Sequence, residues 1–168
     1  MNVRIHIERS LQVPVPYTRA LRLIDDLEHT ISRFPKLRRL SRLGENAYLW
    51  EMEPIGSRVA RISHEVSYAA WYHRDNRRGE LSWKPLPKHG NAVIEGAFKL
   101  LEKNDGTEIR FRVEGELHGV PVPLVYRLVA PPFIQGKFTH LVDTFLERTG
   151  EALELDQSQI NAARAGAR

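Results

Sequence analysis

The chain contains no cysteine, so no disulfide framework or thiolate metal site is available and stability has to come from packing. That composition fits a reducing cytoplasm, the expected location. No uncharged apolar run is long enough for a signal peptide or a membrane span. The seven histidines include no pair at the short helical spacing used by zinc sites on helices, so no metal is expected. A Gly-x-Ser-x-Gly elbow, a phosphate-binding glycine loop and a dinucleotide fingerprint are also missing. Hydrolase, kinase and dehydrogenase chemistries therefore have no support, and no cofactor is expected. By strand alternation Glu95, Glu114 and Glu116 fall on a wet face, which leaves a paired-carboxylate mechanism without a basis.

What is present is the balance of a soluble globular protein. Of 168 residues, 42% are hydrophobic and 27% charged, enough for one core rather than two domains. Lys and Arg number 25 against 21 Asp and Glu, a net charge of +4. The excess is partly local: Arg33, Lys36, Arg38, Arg39 and Arg42 crowd one stretch, and Arg74, Arg77 and Arg78 another. Two readings fit the first stretch, a solvated charged face or a contact with an anionic membrane or the ribosome. No aromatic platform is interleaved with these arginines, and specific DNA binding is not expected.

The opening residues Val3 to Glu8 alternate apolar with polar and predict a strand. After Val13-Pro14-Val15-Pro16, the spacing of Ala20, Leu21, Leu23, Ile24 and Leu27 predicts a helix. A second short one covers Glu28 to Arg33 and stops before Phe34-Pro35. From Lys36 to Gly119 the period changes to two, and turn signals such as Gly44-Glu45-Asn46 and Asn104-Asp105-Gly106 divide it into six further strands. The clearest is Thr107 to Gly119, where Ile109, Phe111, Val113 and Leu117 alternate with Glu108, Arg110, Arg112 and Glu116. The same parity turns Tyr48, Trp50 and Met52 inward, then Ile62, His64, Val66, Tyr68, Ala70 and Tyr72, then Leu81 and Trp83, then Ile94, Phe98 and Leu100. Trp71 has the opposite parity and points outward.

Beyond Val120-Pro121-Val122-Pro123 the helical period returns. Leu124 to Val129 predicts one short turn, and Pro131-Pro132 opens a long helix with Ile134, Phe138, Leu141, Val142, Phe145 and Leu153 on its apolar stripe. One domain is expected over residues 1–155, with 156–168 as a frayed or disordered tail.

The elements make an α+β protein: a sheet of about seven antiparallel strands whose apolar face the last helix has to cover. One helix is only about 10 Å across. It covers so wide a face only if the sheet curls over it, with Gly96 and Gly115 as the expected bends and leftover space as a pocket. The element order resembles the START-like helix-grip superfamily, as do the Pro16-Tyr17-Thr18-Arg19-Ala20-Leu21 segment, Ser32-Arg33-Phe34-Pro35-Lys36-Leu37, the Gly106-Thr107-Glu108-Ile109 turn and the closing helix. That superfamily includes polyketide cyclase-like proteins, coenzyme Q-binding START proteins and birch-pollen allergens. The resemblance implies a seven-stranded curved sheet around the C-terminal helix, with a cavity between them for a lipid, a quinone or a polyketide-like aromatic. No catalytic motif of the family maps onto the chain.

The expected wall consists of Tyr48, Trp50, His64, Val66, Tyr68, Tyr72, Trp83, Ile94, Phe98, Phe111, Val113, Phe138, Leu141, Val142 and Phe145. Trp50 and Trp83 either stack on a ligand ring or fill the core. His64, alone among apolar neighbours, either handles a proton together with Tyr68, as in a cyclase or dehydratase, or is a core histidine with a hydrogen-bond partner. The residue pattern leaves oligomeric state open.

Overall fold

The computed structural model describes residues 1–168. Strand β1 (Val3–Val13) leads into three short helical segments, α1 (Tyr17–Ala20), α2 (Arg22–Asp25) and α3 (Leu27–Ser32). The first expected helix is thus present as two turns that meet at Leu21. Strands β2 (Leu37–Gly44), β3 (Ala47–Met52), β4 (Ile55–Ser57), β5 (Ile62–His64), β6 (Ser67–Asp75), β7 (Glu80–Gly90), β8 (Ala92–Lys103) and β9 (Gly106–Leu117) follow. A single 3-10 turn at Leu124–Tyr126 precedes helix α4 (Ala130–Gly166).

Seven strands form one antiparallel sheet in the order β1-β9-β8-β7-β6-β3-β2, while β4 and β5 pair only with each other. The separate hairpin was not expected. Residues 62–72 alternate as one strand, yet the chain leaves the main sheet after Met52 and rejoins it at Ser67.

Alternation decides which face is dry. On β9, Ile109, Phe111 and Val113 are buried while Arg110 and Arg112 are exposed, and β1 opposes it in register from Val3↔Leu117 to Val13↔Thr107. Helix α4 has prolines in its first turn, where a missing N–H costs nothing. It buries Ile134, Phe138, Leu141, Val142, Phe145, Leu146 and Leu153 at helical spacing against the sheet. Full burial of each such side chain is worth about 1.5–3 kcal/mol.

The helix does not stop near Leu155 but continues to Gly166. Good helix formers, among them Glu154, Leu155, Gln157, Gln159, Ala162 and Ala163, carry it on although no residue after Leu153 is buried. Burial and helical period therefore end at different places.

The two sheet edges are closed by different means. On β1, the Gln135 carboxamide of α4 imitates a neighbouring strand: its Nε2 donates to the His6 carbonyl at 2.7 Å and its Oε1 accepts from the His6 N–H at 3.0 Å. On β2, Arg38, Arg39 and Arg42 are exposed or nearly so, and charges along an edge discourage the addition of another strand.

Candidate functional site

Between the sheet and α4 lies a partly open void of about 60 Å³, walled by 17 residues of which 16 are hydrophobic. Six aromatic side chains run around it as a closed ring. Phe34 lies edge-on to Trp50, 5.6 Å between centroids. The Trp50 Nε1–H donates to the Tyr72 hydroxyl at 2.8 Å. Tyr72 then packs on Trp83 at 5.9 Å, Trp83 on Phe111 at 5.7 Å and Phe111 on Phe145 at 5.8 Å. Phe145 returns to Phe34 at 5.5 Å. Tyr68 stacks on Trp50, its ring 5.3 Å away and nearly parallel to it.

The void is dry by construction. Thr30 is the one polar lining residue beside the tyrosines, and its hydroxyl is committed to the Leu23 carbonyl at 2.7 Å. Burial pushes the Tyr68 and Tyr72 hydroxyls above the usual phenol range, with the Trp50 hydrogen bond opposing the shift at Tyr72. Both therefore stand as neutral O–H groups near pH 7. Tyr72 is occupied by Trp50, whereas the Tyr68 hydroxyl has no protein partner.

Of the expected wall, Trp50, Tyr68, Tyr72, Trp83, Ile94, Phe98, Phe111, Val113, Phe138, Val142 and Phe145 line the void. Four do not. Tyr48 is buried beside the circuit and donates to Glu28 Oε1 at 2.9 Å. Val66 and Leu141 are core residues away from the void. His64 is displaced furthest: it ends β5, opposite Ile55, and is only half-buried.

Unbroken parity from Ile62 to Tyr72 is what assigns His64 to the wall. The break at Glu65 and Val66, outside any strand, invalidates it. The His64 Nε2 is buried without a hydrogen-bond partner. Burial first, and then the Met1 ammonium, hold its imidazole below the usual histidine range, so it is neutral at pH 7. His64 thus lies off the lining of the void, and no hydrogen bond ties its Nε2 to Tyr68 or to another core group.

The lining also includes Ile5, Thr30, Ile31 and Phe34, which sequence reasoning did not assign to it, and Met52 and Leu81, which it turned inward without assigning to the wall. Alternation of Val3, Ile5 and Ile7 along β1 carries the signal for Ile5. Phe34 carries none: before Pro35 it marks the end of a helix, and only the fold brings it against Trp50 and Phe145.

The basic stretch is not one surface. Arg33 caps α3 and turns inward, its guanidinium held below the usual arginine range chiefly by burial. Arg38 and Arg39 face Glu65 and Glu51, each at 3.8 Å. Trp71 is 52% exposed on the outer face of β6, between Ala47 and Lys84.

Tyr72→Phe tests the circuit. It leaves the buried Trp50 N–H without an acceptor, and the expected loss is about 1–3 kcal/mol in urea unfolding. A loss below about half a kcal/mol would show that this bond does not hold the ring together.

No family model matches the chain, and no curated protein matches it in sequence. Solved structures do match in three dimensions. The aromatase/cyclase Zhui from Streptomyces sp. R1128 superposes with a TM-score of 0.61 at 9% identity, covering 90% of this chain and 94% of that one. A START superfamily protein from Mycobacterium smegmatis gives 0.60 at 9% identity, covering 89% and 97%. The di-domain aromatase/cyclase StfQ of the steffimycin biosynthetic pathway gives 0.62 at 15% identity, covering 93% of this chain and 52% of that one. With its seven-stranded antiparallel sheet closed over a long C-terminal helix, the chain has the START-like helix-grip fold.

Proposed function

We propose that the protein is a carrier for a hydrophobic small molecule, either a flat ring-containing one such as a quinone or a polyketide-like aromatic or a lipid with a compact polar head, held between the sheet and α4. The closed aromatic circuit around an apolar void is the observation that carries this reading. Ordinary packed cores hold few voids larger than a water molecule. Here Tyr68 also offers one unpartnered hydroxyl, the kind of single polar contact that orients an apolar ligand.

The void has to grow to accept such a guest. At about 60 Å³ it is roughly fivefold smaller than pockets that enclose a whole drug-sized molecule. Phe34 is the place where it opens, because it alone among the lining residues is not buried. It also sits two residues before Lys36, whose φ of 61° is left-handed. Swinging the Phe34 ring outward removes one member of the circuit, and Phe34 itself belongs to no strand.

The reading as a cyclase or dehydratase-like enzyme has weaker support. Its proton-transfer pair is not assembled, since His64 lies off the wall. A ribosome or membrane contact through Arg33 to Arg42 is weaker too, because Arg33 turns inward and Arg38 and Arg39 already face carboxylates.

Titration with 1-aminoanthracene, a flat apolar fluorophore, tests the carrier reading. Saturable one-to-one binding is expected, with Phe34→Ala binding several-fold tighter or faster and Tyr68→Phe retaining binding. If neither the parent nor Phe34→Ala binds the fluorophore, and native mass spectrometry shows no retained apolar molecule, the carrier reading fails.

A further inference from the structure

The sharpest departure from ordinary surface composition lies away from the void, in the connection between β9 and α4. Leu124, Val125 and Leu128 are 76%, 82% and 93% exposed, with Tyr126 and Val129 also in solvent. Single exposed apolar residues are unremarkable, but a run of this kind marks an interaction surface.

The run is not a loose loop. It is a 3-10 turn held by Tyr126 N–H donating to the Pro123 carbonyl at 2.9 Å and Val129 N–H to the Tyr126 carbonyl at 3.0 Å. Prolines bracket it at 121, 123, 131 and 132. Its base is anchored where Val120 and Met1 exchange backbone hydrogen bonds. The apolar side chains are thus presented outward by ordered backbone.

A second projecting apolar residue lies on the β4–β5 hairpin. Val59, at the tip of the β4–β5 hairpin, is 97% exposed. The hairpin packs on α4 through β4, and its last residue, His64, lies within the influence of the Met1 ammonium. Arg58 and Arg61 flank Val59, and Arg127 interrupts the turn. None of these three arginines has a carboxylate partner.

We infer that the Leu124–Val129 turn, together with the Val59 hairpin tip, docks on an anionic lipid bilayer. The side chains project from two turns, Leu128 and Val59 each more than nine-tenths exposed, a presentation that suits insertion among acyl chains. Unpaired guanidinium groups at their flanks suit anionic head groups. A twofold dimer through the same surface would set Arg127 and its neighbours against their own copies, which like-charge repulsion opposes. No helix of the chain is long and apolar enough to cross a membrane, so the contact is peripheral. The surface is separate from the Arg33–Arg42 stretch and does not depend on the carrier reading.

Cosedimentation with vesicles tests it. The intact protein should partition to phosphatidylcholine vesicles containing about one-fifth phosphatidylglycerol, less so at high salt, and not to phosphatidylcholine alone. The double variant Leu124→Glu/Leu128→Glu should lose about tenfold or more of that partition, and Arg58→Glu/Arg127→Glu a similar amount. Both replace exposed side chains, so an unchanged thermal melt confirms that the fold persists.

Three results would overturn the inference. One is partition of Leu124→Glu/Leu128→Glu equal to the parent's. Another is partition lost only in Arg38→Glu/Arg39→Glu/Arg42→Glu, which would put the contact on β2. The third is light scattering that shows a parent dimer converted to monomer by Leu124→Glu/Leu128→Glu, which would make the turn a self-interface.

Discussion

Phe111→Ala should cost about 3–5 kcal/mol in guanidinium unfolding, the range for removing a large aromatic from a packed core. Phe111 lies at the centre of the site, its ring 5.7 Å from Trp83, 6.2 Å from Phe98 and 5.8 Å from Phe145. It joins the two layers, because Phe98 and Trp83 come from neighbouring strands and Phe145 from α4. Truncation leaves three rings without a partner on one side and merges the vacated volume with the existing void. For a domain with total stability of about 5–15 kcal/mol, that is a fifth or more of the whole. The same variant should take up 1-aminoanthracene without the change at Phe34. A loss near 1 kcal/mol would mean that α4 collapses onto β9, and that the void is softer than the aromatic circuit implies.

Gly96→Ala should be the next most damaging, at about 2–3 kcal/mol, near the upper end for overpacking by one carbon. Gly96 opposes Trp83 on β7 and Val113 on β9. A Cβ there would run into both the Arg112 carbonyl and the Trp83 indole. The carbonyl belongs to a paired strand and cannot retreat, so the indole has to move and the circuit breaks at Trp83. Placing Gly96→Ala in a Trp83→Leu background separates the two obstacles. If the glycine substitution then costs less than half as much, the indole is the main one; an unchanged cost assigns it to the backbone.

These two positions show how far the pattern of residues carries. Phe111 is legible because β9 alternates without interruption, and its neighbours on β1, β8 and α4 follow the same logic. Gly96 is legible as unusual, but as an expected bend. Its evident role is to leave room for Trp83, a fact about a neighbouring strand that no local pattern contains. The failure at His64 has a similar origin. Alternation propagates direction only while a strand lasts, and residues 62 to 72 continue in phase across a break that puts β5 in a different sheet. Phe34 lies in neither kind of period, so the one residue that reaches from the void to the surface is invisible until α3 is docked. The size of the void is likewise hidden, because it is the small difference between the volume the sheet encloses and the volume the rings occupy.

The pairing of β1 with β9 also sets a timetable. The Met1 and Val120 backbones that close this end of the sheet are 119 residues apart in the chain, and translation at about 5–20 residues per second puts roughly 6–24 s between them. Through that interval β1 has no partner strand, and Gln135, which later covers its outer edge, has not been made. The middle of the sheet, by contrast, is built from neighbours in sequence, with β6 on β7, β7 on β8 and β8 on β9. Nascent chains should therefore assemble the central meander first and capture β1 late, so the apolar face stays open to chaperones or to a waiting ligand until α4 arrives.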